Sequence, residues 1–434
     1  MTVVSVLGIG RVGLPHALLS ALKGNIVFGI DIKNDYIELL KRGISPFGEP
    51  DLQALLLKTL NRTFFPTTSF SPLEKSDYIL VQVGLKGPSI SVDRSHLMSL
   101  FGSMIQYLHG QTIISRVTSP VGTTDKVKAY LETRGRKEGR DFRLVFSPER
   151  VVEGKEIEEE RSLPVIVGAY NEEGFESAGA YFRKITSGQI IRVSSPSVAE
   201  LIKLLDNAWR NLKFAFANDV ALLAEEIGMD VFEVVEKANL GYDRNDIPRP
   251  SWGVSGYCLS TNPYMLEQSF LGMAKKRGLH SVWYYGRKAN DYLVSHTVEL
   301  VDALSRGRKN VLVAGLSYKE NVDDFRDSHG VKTVEQLLGS GYRVSVYDPY
   351  LDVNSYTILP RHVATRVRKC SALKEALESQ DVAIFTVKHS EFRSLRQSTI
   401  LANMNLPPII IDCWGFLDGT FSNPKVVYRR VGLG

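Results

Sequence analysis

Short runs of aliphatic residues, several of them β-branched, alternate with longer stretches of mixed polarity along most of this chain. Runs that fit buried strands lie at 3–7, 26–30, 78–83, 112–117 and 143–146. An apolar helical stretch follows the first of these runs. Strands that alternate with helices predict a parallel sheet covered by helices on both faces. The first part of the chain is therefore predicted to be a doubly wound α/β domain.

The same alternation returns in the last third of the chain. Strands are predicted at 310–316, 342–348, 382–387 and 409–412. Between the two alternating parts, residues 197–227 have apolar positions at helical spacing, and Gly228 is the predicted stop. At about 1.5 Å per residue this helix would be roughly 45 Å long, so it links domains or forms a dimer interface.

We therefore predict an α/β protein with two Rossmann-like doubly wound domains joined by a central helical region that contains one long helix. The predicted domains are residues 1–195, 196–305 and 306–434. The chain has no short-period repeat, so the two Rossmann-like halves resemble each other only as folds.

Composition and charge change this picture little. Of the 434 residues, 44% are hydrophobic and 23% are charged, which is typical of a folded globular protein. The net charge of +5 is too small to indicate nucleic acid, although it suits an anionic ligand. No apolar run reaches the ~18 residues of a membrane span, so no membrane insertion is expected. The three cysteines, Cys258, Cys370 and Cys413, predict unpaired thiols and a cytoplasmic location.

A glycine-rich turn after the first predicted strand has the sequence Gly8-Ile9-Gly10-Arg11-Val12-Gly13. Gly8 allows a tight turn, Gly10 lets a pyrophosphate approach the backbone, and Gly13 allows the helix to pack closely on the strand. The helix N-terminus adds positive potential for phosphate groups. Asp31 follows about 20 residues on, where a carboxylate binds ribose hydroxyls and repels a 2′-phosphate. The pattern predicts NAD as the cofactor; the alternative is a turn that serves packing alone. No metal site is expected in this sequence.

Polar side chains follow two other predicted strands of the first domain. Thr118 begins a hydroxyl-rich turn after the strand at 112–117, and the carboxyl ends of such strands line the ligand crevice. Glu149 and Glu153 follow the strand at 143–146 and could assist a water molecule. The alternative for the two glutamates is a pair of solvated loop charges.

Candidate functional groups also lie in the middle and last parts of the chain. Lys203 and Asn207 are one helical turn apart and converge from one face, unless they are ordinary surface residues. The thiol of Cys258, in a turn flanked by glycine, indicates a nucleophile; the alternative is a small buried apolar residue. Lys319 and Arg326 follow the first strand of the second Rossmann-like half and suit a nucleotide diphosphate better than a second dinucleotide.

Taken together, these motifs resemble the UDP-glucose/GDP-mannose dehydrogenase family, in one order over nearly the whole chain. They are the glycine turn, Thr118 before Pro120-Val121-Gly122-Thr123-Thr124, Pro148-Glu149, Ala199-Glu200-Leu201 with Lys203 and Asn207, Asn218, Cys258, and Lys319 with Asn321, Asp323-Asp324, Arg326 and Ser328. The resemblance implies that the C6 alcohol of a UDP-sugar is oxidised to a carboxylate with two NAD. It also implies a homodimer or higher homo-oligomer formed through the helical middle.

Within that family, the sequence around Arg150 and Val151 and the sequence around Cys258 resemble the UDP-N-acetylhexosamine branch. The implied substrate is UDP-N-acetylmannosamine or UDP-N-acetylglucosamine. Glu153 is more typical of the UDP-glucose branch, so a UDP-glucose 6-dehydrogenase is an alternative.

The resemblance also implies roles for individual side chains. Cys258 captures the aldehyde as a thiohemiacetal that becomes a thioester, while Lys203 and Asn207 stabilise negative charge that develops on oxygen. Thr118 and the two glutamates serve the hydrolytic water. The implied catalytic residues are Cys258, Lys203, Asn207, Glu149 and Thr118; the cofactor-binding residues are Gly8, Gly10, Arg11, Val12, Gly13, Asp31, Thr118, Glu153 and Arg326; the substrate-binding residues are Arg150, Val151, Lys203, Asn207, Arg210, Arg244, Ser255 and Lys319.

Three positions near the cysteine depart from the family pattern. Asn262 stands four residues after Cys258, where the family has an aspartate, Ser255 replaces a glycine, and Ser260 replaces a proline. Because an amide is not a base, either Lys203 or a water takes that role, or the second oxidation is impaired. One alternative is therefore a weakened relative that binds NAD and a nucleotide sugar without completing the oxidation. Another is a two-electron NAD dehydrogenase in which Cys258 is structural.

Overall fold

The computed structural model describes residues 1–85, 92–351 and 359–433. The chain folds into two compact units. The first comprises Met1–Asp206 with Tyr264–Gly272, and the second comprises Asn207–Pro263 with Met273–Gly434. The three domains proposed from the sequence stay a prediction.

An eight-stranded sheet lies at the centre of the first unit. Its strands are β1 (Val3–Leu7), β2 (Ile26–Ile30), β3 (Phe64–Thr67), β4 (Tyr78–Val81), β5 (Gln111–Ser115), β6 (Phe142–Phe146), β7 (Val165–Ala169) and β8 (Ile190–Val193). They lie in the order β3-β2-β1-β4-β5-β6-β7-β8, and each neighbouring pair is parallel except β6 and β7. The strand order reverses between β1 and β4, which is where doubly wound sheets bind their ligands.

Helices pack on this sheet. They are α1 (Gly13–Leu22), α2 (Asn34–Lys41), α3 (Leu52–Thr59), α4 (Ser95–Met104), α5 (Thr123–Glu132), α6 (Glu156–Ser162) and α7 (Glu172–Ile185), with single 3₁₀ segments at Ser71–Lys75 and Ile105–Tyr107. All residues of α1 from Gly13 to Ala21 are buried, as expected for a helix that is mostly apolar. The core of the unit therefore lies directly beneath the glycine turn that precedes α1.

The middle of the chain is helical. It contains α8 (Pro196–Glu226), α9 (Val231–Asn239), α10 (Tyr257–Arg277) and α11 (Val282–Ser305). The long helix predicted at 197–227 is confirmed as α8, which has 31 residues and is followed by Gly228 with a φ of +71°. Among the described residues, no helix combines the length and the apolar character that crossing a bilayer requires.

A second, six-stranded sheet forms the core of the second unit. Its strands are β9 (Asn310–Ala314), β10 (Arg343–Tyr347), β11 (Arg368–Lys369), β12 (Val382–Phe385), β13 (Ile409–Asp412) and β14 (Val427–Arg430), and its helices are α12 (His329–Gly339), α13 (Arg361–Ala364), α14 (Leu373–Leu377) and α15 (Gln397–Asn403), with a 3₁₀ segment at Ser390–Ser394. The order is β11-β10-β9-β12-β13-β14, and each neighbouring pair is parallel. The predicted α/β fold with two Rossmann-like sheets is thus confirmed.

Candidate active site

The turn after β1 requires glycine at two positions. Gly8 has a φ of +84°, and its N–H donates to the carbonyl of Ile30 in β2 at 2.8 Å. A Cβ on Gly13 would lie 1.9 Å from the carbonyl oxygen of Gly8, so α1 can pack this closely on β1 only without a side chain there. Both glycines have the conformation and packing on which a dinucleotide-binding turn depends.

The exposed side of this turn fits the phosphates and ribose of a dinucleotide. A Cβ on Gly10 would meet no atom within 4 Å, so the backbone is open to a ligand on that side. Val12 supplies no side-chain cap for α1, which leaves the positive end of the helix dipole available to an anion. Asp31 is half-buried and directly follows β2, where its carboxylate suits ribose hydroxyls. The residues present therefore fit NAD.

Two residues assigned to the cofactor contact each other. Arg11, within the glycine turn, forms an ion pair with the carboxylate of Glu153. The guanidinium of Arg11 also lies 4.9 Å from the ring centroid of Phe47. The carboxylate of Glu49 accepts the backbone N–H of Gly154 at 2.7 Å. These contacts hold the segment that carries Glu153 beside the glycine turn.

Glu156, the first residue of α6, is a buried acid that no sequence motif indicates. Burial, together with the nearby carboxylates of Glu49, Glu153 and Glu149, raises the pKa of Glu156 to about 9. The side chain is therefore protonated at neutral pH and adds no negative charge to the group of carboxylates. A lower negative charge next to the glycine turn favours the binding of a diphosphate.

Thr118 lies half-buried in the segment between β5 and α5. The carboxylate of Glu200 on α8 accepts the backbone N–H groups of Gly122 at 2.6 Å and of Thr124 at 2.7 Å, and the hydroxyl of Thr124 at 2.6 Å. Glu200 is buried, and burial raises its pKa. The sequence motif included Glu200 without a role, and the structure shows that it ties the Thr118 segment to α8, one turn before Lys203.

Lys203 is buried and is anchored on the segment that follows β6. Its ammonium donates to the backbone carbonyl of Glu149 and lies 3.5 Å from the carboxylate of the same residue. That carboxylate also accepts the N–H of Val151. Arg150 pairs with Asp206 on α8 at 2.9 Å. The structure therefore brings together four of the predicted site residues, namely Glu149, Arg150, Val151 and Lys203.

In the second unit, Asn207 pairs with the residue that departs from the family pattern. The side-chain amide of Asn207 donates to Oδ1 of Asn262 at 2.6 Å, and Nδ2 of Asn262 lies 3.1 Å from the hydroxyl of Thr261. Both asparagines are buried. Asn262 thus keeps a hydrogen-bond acceptor beside Asn207, although it does not provide a carboxylate.

Cys258 is exposed, which contradicts the alternative of a buried small apolar residue. It is the second residue of α10, where the helix dipole favours a negatively charged group. Gly256 before it has a φ of +86°, and a Cβ there would lie 2.4 Å from the ring of Tyr318. The turn therefore requires glycine at 256. Ser255 precedes it and is buried.

Arg326 lies close to the residue before the thiol. Its guanidinium is 5.6 Å from the ring centroid of Tyr257 and donates from Nε to the carboxylate of Asp324 at 2.9 and 3.0 Å. Lys319 is half-buried in the loop that follows β9. Both cations thus lie in the loop region between β9 and α12.

Arg210 and Arg244, two of the three arginines assigned to the substrate, lie on exposed surface. Arg210 is exposed on α8. Arg244 is exposed and stacks on Tyr242, with 4.5 Å between the guanidinium carbon and the ring centroid. The described contact of Arg244 is therefore with a residue that was not among the predicted site residues.

A buried hydrogen-bond network holds the loop after β9, and the sequence only partly indicated it. The carboxylate of Asp348, which directly follows β10, accepts the N–H of Leu316 at 2.6 Å and of Ser317 at 3.0 Å. His389 accepts the N–H of Asn321 at its Nδ1, at 3.0 Å. Its Nε2 lies 3.2 Å from the same carboxylate of Asp348, so we assign the Nε2–H tautomer. Asp348 occurs at the end of a predicted strand, whereas nothing in the sequence pattern indicated His389.

Models of three domains from one family match the chain in order. The NAD binding domain of the UDP-glucose/GDP-mannose dehydrogenase family matches residues 2–186, the central domain matches 197–290, and the UDP binding domain matches 312–419. A UDP-N-acetyl-D-mannosamine dehydrogenase from Pyrococcus horikoshii is 30% identical, over 99% of this chain and 99% of that protein.

Solved structures show the same relationship. The UDP-D-ManNAc dehydrogenase from Pyrococcus horikoshii has a TM-score of 0.88 with 29% identity and covers 100% of both chains. The UDP-N-acetyl-mannosamine dehydrogenase Cap5O from S. aureus has a TM-score of 0.84 with 27% identity, over 100% of this chain and 99% of that one. The NDP-N-acetyl-D-galactosaminuronic acid dehydrogenase from Methanosarcina mazei has a TM-score of 0.80 with 28% identity, over 100% and 95%. The chain therefore belongs to the UDP-glucose/GDP-mannose dehydrogenase family, and it is an NAD-dependent nucleotide-sugar dehydrogenase.

Proposed function

We propose that this protein oxidises the C6 hydroxyl of a UDP-N-acetylhexosamine to a carboxylate through a covalent intermediate on Cys258. The observation that carries the proposal is the exposed thiol of Cys258 at the start of α10, in a turn that Gly256 makes possible. The names of the relatives from Pyrococcus horikoshii and S. aureus support an N-acetylmannosamine sugar.

The first oxidation converts the C6 alcohol to an aldehyde: a water molecule takes the hydroxyl proton, and a hydride leaves C6 for the cofactor. Negative charge grows on the C6 oxygen as the proton leaves, and we assign its stabilisation to the ammonium of Lys203 and the amide of Asn207. The anchoring of Lys203 on Glu149 fixes the position of its positive charge. NAD held by the glycine turn and Asp31 would supply the hydride acceptor, with one molecule of NAD consumed in each of the two oxidations.

The second oxidation begins when the thiolate of Cys258 adds to the aldehyde carbon and forms a thiohemiacetal. Loss of a second hydride from that carbon leaves a thioester, and attack by water then releases the carboxylate and restores the thiol. We assign the positioning of this water to Thr118, Glu149 and Glu153. Holding the aldehyde covalently prevents its release between the two oxidations.

All but one of the remaining predicted residues are assigned to the UDP-sugar. Lys319, Arg210 and Arg244 supply positive charge for the diphosphate, which guanidinium and ammonium groups bind well. Arg150, Val151 and Ser255 are assigned to the sugar and ribose. Arg326, beside Tyr257, is assigned to the cofactor.

An exposed apolar stripe on α8 supports the proposal of a homodimer. Trp209, Phe216 and Leu223 are exposed by 61%, 56% and 56%, and they follow one another at intervals of seven residues. This spacing places them on one face of the helix, as in helices that pair with a copy of themselves. A dimer in solution that F216E converts to a monomer would support this proposal, whereas a wild-type monomer would contradict it.

The proposed location is the cytoplasm. The thiol of Cys258 has to stay reduced in order to attack an aldehyde, and a reducing compartment maintains it in that state.

The test is the number of NADH molecules formed for each sugar consumed. Purified protein and excess NAD are mixed with limiting UDP-N-acetylmannosamine, UDP-N-acetylglucosamine or UDP-glucose in parallel. We expect two NADH per sugar with an N-acetylhexosamine. Two with UDP-glucose alone would move the assignment to a UDP-glucose 6-dehydrogenase. One would indicate a stalled or two-electron dehydrogenase, and none would indicate another sugar nucleotide as substrate or a relative that binds without turnover.

Two cysteine variants test whether the carboxylate forms through a thioester on Cys258. C258S should lose acid formation, because serine is a far weaker nucleophile than a thiolate at neutral pH. C370S is the matched control, since Cys370 is a buried cysteine of the second unit. Retained acid formation in C258S would contradict the covalent mechanism.

A further inference from the structure

Pro263 leaves a backbone carbonyl without its helical partner one residue after the candidate nucleophile. In an α-helix the N–H of residue 263 would donate to the carbonyl of Leu259, but proline has no N–H. Arg287 on α11 supplies the missing donor, with its Nη1 at 3.3 Å from the carbonyl oxygen of Leu259. A guanidinium from another helix thus completes the hydrogen bonding of the first turns of α10.

The same guanidinium nitrogen also reaches the other side of Cys258. Nη1 of Arg287 donates to the carbonyl oxygen of Val254 at 2.8 Å. Val254 precedes the cysteine by four residues and Leu259 follows it by one. Arg287 therefore bridges the two ends of the turn that presents the thiol.

Arg287 is itself held in place on several sides. Its side chain is fully buried, and its Nη2 pairs with the carboxylate of Asp291 one turn later on α11 at 2.9 Å. Nη1 also donates to Oδ1 of Asn211 on α8 at 3.0 Å. Asn290 donates to the same oxygen of Asn211 at 3.0 Å. Because the guanidinium is fixed by α8 and α11, the turn between Val254 and Leu259 is fixed with it.

We propose that Arg287 is a positioning residue for the thiol of Cys258, an inference that rests on the proposed function. Arg287 acts through the carbonyls of Val254 and Leu259 and sets the direction from which the thiol approaches the aldehyde. Lysine cannot replace it, because an ammonium does not provide the planar set of donors that reaches Asp291 and both carbonyls at once.

The first test compares R287K with R430K. Arg430 is the matched control, because it is a buried arginine of the same unit whose ion pairs are with Asp230 and Asp418. We expect R287K to lower kcat about 10- to 100-fold with little change in KM, since small displacements of a reacting group have effects of this size. NADH per sugar should fall from two towards one, with released aldehyde that a hydrazine traps. R430K should keep the wild-type kcat and stoichiometry.

A second measurement does not depend on turnover. Backbone amide exchange of the segment 254–260 should be at least about 10-fold faster in R287K than in the wild type, and unchanged in R430K, because only R287K releases the two carbonyls. If the wild type oxidises none of the sugars, the proposed function fails, while the exchange comparison still decides whether Arg287 holds the turn. The inference would be overturned if R287K kept the amide exchange rate and the kcat of the wild type. It would also be overturned if R430K lost as much kcat as R287K.

Two further variants keep the test valid if R287K does not fold. D291N leaves Arg287 in place and removes its charged partner on a residue that is partly exposed, so the same changes should follow on a smaller scale. P263A returns an N–H to the carbonyl of Leu259, so the double variant P263A/R287K should recover part of the kcat that R287K loses. Failure of both D291N and the double variant to behave in this way would overturn the inference.

Discussion

The first strand of each Rossmann-like sheet is followed by nearly the same turn, but the aspartates beside the two turns, Asp31 and Asp348, differ in burial and in hydrogen bonding. Gly8 and Gly315 both have a positive φ, of +84° and +96°, and both donate their N–H to the last residue of the neighbouring strand at 2.8 Å. Asp31 is half-buried beside the first turn, whereas Asp348 is 2% exposed and binds the backbone of its own loop. The carboxylate of Asp31 accepts the N–H of Lys33 at 3.2 Å, stays half-exposed and is assigned to the ribose of NAD, whereas the carboxylate of Asp348 fixes its own loop.

The helices that follow the two turns, α1 and α12, differ in whether a side chain caps their N-terminus. The N-terminus of α1 has no side-chain cap, whereas Ser328 caps α12 by accepting the N–H of Gly330 at 3.0 Å. A helix whose first N–H groups are already bonded offers less to a phosphate. The comparison teaches that the strand order of a sheet does not decide what it binds. In the second unit we assign nucleotide binding to cations of the loop after β9, such as Lys319.

The largest effect should come from filling the contact between turn and helix. A Cβ would lie 1.9 Å from the carbonyl oxygen of Gly8 in G13A and 2.5 Å from that of Gly315 in G330A. Each substitution should cost about 1–3 kcal/mol of stability and abolish binding of one ligand. Titration calorimetry should show loss of NAD binding in G13A alone and loss of UDP binding in G330A alone. The control is G339A, because a Cβ there meets nothing within 4 Å; loss of both ligands in either variant would break the comparison.

The next largest effect is a pH dependence of stability that comes from Glu156, whose pKa is raised to about 9. Among the described residues beside the second turn, no glutamate has a raised pKa of this kind. The unfolded pKa of a glutamate is about 4.3, so Glu156 contributes stability that is complete below that pH and is lost as pH rises towards 9. We expect the Tm of the wild type to fall relative to E156Q between pH 5 and pH 9, by several degrees. E158Q is the control, since Glu158 is exposed on the same helix. A Tm difference between wild type and E156Q that does not change with pH would contradict this.

A smaller effect should separate the two aspartates. D31N should weaken NAD binding about 10-fold and leave Tm unchanged, because its carboxylate is assigned to the ribose. D348N should lower Tm by several degrees and leave NAD affinity unchanged, because its carboxylate binds Leu316 and Ser317 in its own loop. Parallel calorimetry and thermal denaturation of both variants check this, and a shared phenotype would show that the two positions do the same work.

The smallest effect should come from the cap of α12. S328A removes the acceptor for the N–H of Gly330 and should cost about 1 kcal/mol. S340A, at the other end of the same helix, should change stability by less than about 0.5 kcal/mol. Urea denaturation measures both, and an S328A variant as stable as the wild type would show that the cap is not needed.

Patterns within short segments allowed the sequence to predict much of the fold. The positions Gly8, Gly13 and Asp31 follow from the spacing of one strand, one turn and the next strand. The length of α8 follows from its periodicity and from Gly228. In the second unit the glycine that matches Gly13 is Gly330, which lies 15 residues after Gly315 instead of five. An intervening loop separates them, so the local pattern could not be recognised.

The supporting residues of the candidate site could not be predicted because their partners are distant in sequence. Glu200 binds Thr124, 76 residues away, and His389 binds Asn321, 68 residues away. Arg287 lies 28 residues from Leu259. The missing N–H of Pro263 is visible in the sequence and shows that Leu259 needs a donor, but only the packing of α11 identifies the donor. One amino-acid sequence can show that a backbone group lacks a hydrogen-bond partner, but it does not show which distant residue supplies that partner.

The exposure of Cys258 also determines how this protein will fail under oxidative stress. Of the three cysteines, all within the described residues, Cys370 and Cys413 are buried and Cys258 is exposed. Peroxide will therefore convert the Cys258 thiol first, to a sulfenic acid that thiols can reduce and then to acids that they cannot. With Cys258 in its proposed role, oxidation of this one sulfur atom should inactivate the protein while the fold stays intact, and a bound substrate that covers the sulfur should delay the loss.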